Sequence, residues 1–286
     1  MRIKKSYCLD QLRDYSTLFS RSEVVRWFKS DLSSLDLKIN RYDSKFISDD
    51  RTYLSYLKYV YRILESFYPN EYVYKNELIN KWLIREIGSS DSVVFNEFRL
   101  GRAVADLAMF NGVSKAFEIK TTLDKDTRLN SQVKEYQKLF NEVYLIVPES
   151  KIENYQKLYP DVGLVVYQDA SKEFRLEKLA NNNPFIDVNA LMGTLHTHEY
   201  ISIVEQHYGC RPSFTDFSKF EVCKQLIEEI PQKPLNDLFI SAMKKRNIFN
   251  VFSKTEKQFN QLFLSLNLSL DKQHKLLDNL RCNINN

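Results

Sequence analysis

Glu97–Phe98–Arg99–Leu100–Gly101–Arg102–Ala103–Val104–Ala105–Asp106, followed after a turn by Phe117–Glu118–Ile119–Lys120, is the stretch that decides the fold. Residues 93–100, 103–110 and 115–122 have strand character and are separated by Gly101 and by Asn111–Gly112. Asn-Gly is a strong hairpin turn signal. In an extended chain, side chains two apart share a face. Glu118 and Lys120 therefore project together, while Ile119 points into a core. Asp106 lies on the preceding strand, across the Asn111–Gly112 hairpin. Pairing of those strands brings two carboxylates and one ammonium to one sheet edge.

Outward from this core, the pattern returns to helical spacing. Residues 7–19 and 21–30 read as helices, 32–49 as a polar loop, and 51–67 as a helix capped by Asp49–Asp50. A further helix over 71–87 is expected to stop at Gly88. After the three strands come a helix over 128–140, a buried strand at 143–147, a helix at 149–159 and a last buried strand at 163–167. This order predicts an α/β fold, a mixed sheet flanked by helices. Past Asn181–Asn182–Asn183–Pro184 the strands vanish, and 187–281 reads as helical. Three parts are expected: an N-terminal helical region over 1–70, a core over 71–180, and a helical C-terminal domain over 181–286.

Asp106 is set among Ala105 and Leu107–Ala108–Met109, and Glu118 between Phe117 and Ile119. Acids in such apolar strands need a partner, and paired carboxylates repel unless a cation or protons compensate. Two hard oxygen ligands suit Mg²⁺ or Mn²⁺, which keep several waters and recruit phosphate oxygens. The alternative is a buried acid–lysine ion pair used only as structure.

These residues resemble the PD-(D/E)XK nuclease superfamily, the restriction-endonuclease-like fold, over about residues 71–170. The likeness rests on Asp106, then Glu118-x-Lys120 on the next strand, and extends to Gln132-x-x-x-Tyr136 on the following helix, as in RecB-like members. The stretch is also similar to uncharacterised bacterial and phage proteins with this core. Ala105 departs from the proline common before the first acid. The resemblance implies Asp106, Glu118 and Lys120 as catalytic residues, and Asp106, Glu118 and Glu77 as metal ligands. Glu77 stands on the preceding helix, where family members often supply a further acid. It implies hydrolysis of nucleic acid, expected to be DNA. Arg99, Arg102 and Arg128 flank the motif as candidates to grip phosphates, with Gln132 and Tyr136 contacting nucleic acid or positioning Lys120. Glu97 either shares a site with Arg99 or is an ordinary strand-surface residue.

Composition sets the limits. A 286-residue chain with 43% hydrophobic and 27% charged residues is that of a globular protein. No stretch approaches the roughly 18 apolar residues that span a bilayer. The basic N-terminus lacks an apolar h-region, and the four scattered cysteines fit reduced thiols, so a cytoplasmic location is expected. The net charge of +4 is uneven: 13 Lys/Arg against 9 Asp/Glu over 1–70, but 16 against 17 over 71–180. An acidic-leaning centre beside a basic region fits a metal site next to a phosphate-gripping surface. The expected partner is nucleic acid, with a homo-oligomer or a phage or mobile-element partner protein left open. The alternatives are an RNA-directed nuclease and a non-catalytic nucleic-acid- or partner-binding protein that keeps the fold.

Overall fold

Among the described residues, six strands form one mixed sheet in the order β1 to β6: Val93–Leu100, Ala103–Phe110, Ser114–Ile119, Glu142–Pro148, Gly163–Gln168 and Glu173–Lys178. The structure is a computed structural model describing residues 6–47, 50–87, 92–122, 126–168 and 170–284. β1, β2 and β3 are an antiparallel meander, β3, β4 and β5 run parallel, and β6 returns antiparallel to β5. Gly101 (φ 55°) and Gly112 (φ 95°) take the left-handed conformation that the two hairpin turns require.

The helices in chain order are α1 Leu9–Ser16, α2 Arg21–Phe28, α3 Ser33–Tyr42, α4 Tyr53–Phe67, α5 Glu71–Leu78, α6 Ile84–Ile87, α7 Leu129–Tyr136, α8 Ile152–Leu158, α9 Val188–Met192, α10 Thr197–Tyr208, α11 Lys219–Glu228, α12 Gln232–Lys244, α13 Asn260–Ser265 and α14 Leu270–Leu280. A π-helical turn, Ile79–Leu83, joins α5 to α6. No described helix is long and apolar enough to cross a membrane.

The chain divides into two compact units. The first combines Met1–Leu83 with Phe249–Asn286. Its core packs Leu12 and Tyr15 of α1, Trp27 of α2 and Tyr56 of α4 with Phe263 of α13 and Leu276 of α14. The second, Ile84–Ile248, holds the sheet. One face of that sheet packs against Val133 and Tyr136 of α7, Val204 of α10 and Phe239 and Met243 of α12. The three-part division expected from the sequence is thus replaced by two units. Residue 180 marks the end of the strands but not of their core, because α9 to α12 add their apolar stripes to it. The segment at 32–49 is also not a loop: α3 and a 3₁₀ turn at Ser44–Phe46 bury Leu35, Ile39 and Phe46. β6 was not expected, since only Phe174 of its Glu-Phe-Arg-Leu-Glu-Lys sequence is buried. The expected caps at Asp49 and Gly88 lie outside the described residues, and Thr52 caps α4 in a reciprocal bond with Ser55.

In the second unit, the β1 side chains entering the core are Val93 and Phe95, then Phe98 and Leu100; on β2 they are Ala103 and Ala105, then Ala108 and Phe110. Both sets change parity at one level of the ladder, between the pairs Asn96–Leu107 and Phe98–Ala105. Glu97 at that step has φ 54°, a conformation that costs a non-glycine residue about 1 kcal/mol or more. Asp106 stands at the same step. Elsewhere in this unit, Arg246 forks onto buried Glu199, with Nε 2.6 Å from Oε1 and Nη2 2.7 Å from Oε2. The guanidinium also lies over the rings of Phe95 and Phe98.

Gly163 opens β5 where a side chain has no room. A methyl group there would run into the Tyr144 ring and stand 2.8 Å from the Ala180 backbone nitrogen. Gly163→Ala is expected to lower stability by about 1–3 kcal/mol through overpacking. An unchanged urea midpoint would contradict this packing.

Candidate active site

The β2–β3 ladder ends at the Leu107–Phe117 pair. Beyond it, the Ile119 amide donates to Asp106 Oδ2 at 2.7 Å instead of to a β2 carbonyl. The Lys120 amide donates to Ile146 O at 2.9 Å, so β3 stays with β4 and parts from β2. The Asp106 carboxylate sits in the opening, half-buried.

Glu118, only 3% exposed, faces α7. Lys120 Nζ and Gln132 Nε2 each donate to its Oε1 at 2.8 Å. The Tyr136 hydroxyl lies 2.7 Å from its Oε2 and 2.8 Å from Val104 O, on the strand that carries Asp106. Gln132 and Tyr136 are four apart, so one helix face holds both. Arg128, four residues before Gln132, begins the same stripe.

Burial pushes the Glu118 carboxyl above its usual range, and the Asp106 charge adds to this. The Lys120 charge and the hydrogen bonds from Lys120 and Tyr136 pull the other way without cancelling it. Burial, then the charge of Glu118, drives Tyr136 upward as well, so it stays a neutral hydroxyl. With Asp106 nearby, the Glu118 carboxylate is left short of positive charge in spite of Lys120. That donor set fits Mg²⁺ or Mn²⁺, which accept one or two carboxylates and fill the remaining positions with water.

Asp106, Glu118, Lys120, Gln132 and Tyr136 are therefore brought together. Gln132 and Tyr136 bond to Glu118 itself, so their first role is to hold that carboxylate. Glu77 is engaged differently. It belongs to the first unit, where it accepts from the Tyr61 hydroxyl at 2.6 Å and pairs with Lys81 at 3.1 Å. Among the described residues no group of three His, Cys, Asp or Glu is arranged to hold a metal. Arg99, Arg102 and Arg128 are exposed, and their guanidinium groups have no ion pair among the described residues. Sequence reasoning missed the step at Glu97 beside Asp106. The apolar order Val93, Phe95, Phe98, Leu100, which breaks strict alternation, was its signal.

The family model described as Bacteriophage P4 protein cII matches residues 65–267. No curated protein matches the chain. A solved structure, a protein of unknown function from Silicibacter pomeroyi, is similar at 14% identity, covering 46% of this chain and 92% of that one, with a TM-score of 0.31.

Proposed function

We propose that this chain, which belongs to the bacteriophage P4 protein cII family, hydrolyses phosphodiester bonds of nucleic acid, DNA in the first instance, with the help of Mg²⁺ or Mn²⁺. The observation that carries this reading is the Asp106 carboxylate in the opening between β2 and β3, near enough for its charge to act on Glu118, with Lys120 2.8 Å from Glu118. A meander of three strands followed by a parallel β4 is also the arrangement expected of a restriction-endonuclease-like core.

Asp106 and Glu118 would hold the cation, which supplies charge neutralisation at the phosphate and a more acidic water. The other steps belong to the chain's own residues. Lys120 places a positive charge beside the carboxylates, where charge develops on the phosphate in the transition state. Gln132 and Tyr136 fix the Glu118 rotamer from α7. Arg128 at the start of that helix, with Arg99 and Arg102 on the β1–β2 hairpin, offers exposed guanidinium groups to the flanking phosphates.

The direct test is nicking of supercoiled plasmid by the full chain, with Mg²⁺ or Mn²⁺ and with EDTA. Cleavage that needs the cation and is lost in Asp106→Ala is the expected result. Calorimetry should show Mn²⁺ binding by the wild type and none at this site in Asp106→Ala. Absence of cation-dependent cleavage on plasmid, single-stranded DNA and RNA alike would overturn the reading.

A further inference from the structure

A concave site lies in the sheet-bearing unit, at the N-terminal ends of β4 and β5. Its volume is about 340 Å³, within the range of small-ligand clefts. Its lining includes Gln137, Phe140, Asn141, Asp161, Asn182 and Phe185. None of the lining residues is a lysine or arginine, so the cleft is not built for a phosphate.

Its rim is the segment Asn181–Asn182–Asn183–Pro184–Phe185, which is tied down closely. The Asn181 amide donates to Asp161 O at 2.9 Å and the Asn183 amide to Asn141 O at 2.7 Å. Asn183 Nδ2 donates to Gln137 O at 2.6 Å, and Asn141 Nδ2 to Asn183 O at 3.0 Å. Yet this fixed segment holds the Phe185 ring 66% exposed at the mouth. A large apolar ring turned outward on an anchored loop is a feature of binding surfaces.

The polar groups divide in a useful way. Asn141 is committed to Ser114 and Asn183, and so forms a rigid wall. The side-chain amides of Gln137 and Asn182 make no hydrogen bond among the described residues, and Asp161 uses Oδ1 on Asn181. Two uncommitted amides and a carboxylate offer mixed donors and acceptors, and the ring of Phe185 offers a flat apolar surface. This combination matches a planar heteroaromatic ring with a polar edge.

We propose that this cleft binds one nucleobase of a single strand, stacked on Phe185 and met at its edge by Asn182 and Gln137. The proposal rests on the reading of this chain as acting on nucleic acid. On β4, Leu145 is level with Glu118, and Asn141 comes four residues earlier. At about 3.3 Å per residue that is roughly 13 Å along the strand direction, within reach of one short strand.

The experiment measures binding of a fluorescein-labelled single-stranded DNA dodecamer to the full chain by anisotropy, in EDTA. Phe185→Ala is expected to weaken binding about tenfold, and Phe185→Trp to keep it, since every base can stack on an aromatic face. Asn182→Ala is expected to weaken it about threefold. Free nucleosides should compete, and deoxyribose 5-phosphate should not. Both residues are exposed, and a thermal melt on each variant confirms that it folds. Wild-type affinity in Phe185→Ala, or equal competition by deoxyribose 5-phosphate, would overturn the base site. Because EDTA removes any cation, the result is separate from cleavage. A chain that binds as expected but never cleaves keeps the base site and loses the nuclease reading. A chain that cleaves while Phe185→Ala binds normally loses only the base site.

Discussion

Lys120→Ala is expected to fold, to bind nucleic acid, and to lose cleavage by about a hundredfold, the equivalent of about 3 kcal/mol of transition-state stabilisation. The ammonium stands 2.8 Å from Glu118 Oε1, on the same side of β3. Its removal leaves Gln132 and Tyr136 on Glu118, so the carboxylate keeps two of its partners. It also removes the charge that opposes burial and Asp106, and the Glu118 carboxyl moves further up. The pH profile of the variant should therefore shift to higher pH, a change that loss of packing would not produce. The sign for stability comes from the same group. A carboxyl raised in the folded chain contributes stability below the ordinary value of about 4, and this is lost as pH rises through the folded value. A bound cation restores it, so thermal stabilisation by Mn²⁺ should grow with pH. Wild-type cleavage by Lys120→Ala would remove the lysine from the chemistry, and an early melt with no binding would make it a structural partner.

Arg246→Ala should lower stability by about 3–5 kcal/mol, because it strands a buried carboxylate. Glu199 is 5% exposed and, among the described residues, keeps only the His196 amide, at 2.7 Å, once the guanidinium is gone. Burial alone would raise the Glu199 carboxyl, but the hydrogen bonds and charge of Arg246, with the His196 amide, overcome it and leave the group below its usual range. Its contribution to stability is thus present above the ordinary carboxylate range and lost as pH falls through the lowered value. The gap in urea midpoint between wild type and variant should be widest near neutral pH and narrow in acid. The double substitution Arg246→Met with Glu199→Met should recover much of the loss, since it leaves no charge unpaired. A single variant with an unchanged midpoint would show that the pair carries nothing.

The meander and the convergence of Asp106, Glu118 and Lys120 were legible because period-two spacing and the Asn-Gly turn are local signals, and the buried strand after them because of its continuous apolar run. So was the i, i+4 pair Gln132 and Tyr136, although only the structure shows Glu118 as their partner. Glu77 was not legible as an internal acid. Its partner Tyr61 lies sixteen residues away on another helix, and the two carboxylates of Glu77 and Glu86 look alike in a helical pattern. The assignment of the C-terminal helices failed for a related reason. An apolar stripe such as that of α14 states that a helix is covered, but not by what. Leu276 and Phe239 read the same in sequence, yet one shares a core with Trp27 and the other packs on Phe110.

The first unit is assembled from two separate stretches of chain, with 84–248 inserted between them. During synthesis the sheet-bearing unit is complete before the helices α13 and α14 exist. At about 5–20 residues per second, the N-terminal helices wait on the order of ten seconds or more for the segment that closes their core. Until then the Trp27 ring lacks Phe259, and its backbone carbonyl lacks the Asn279 amide. A stop codon near residue 249 would leave the candidate active site encoded in full, and would still yield a chain with one unit unable to close.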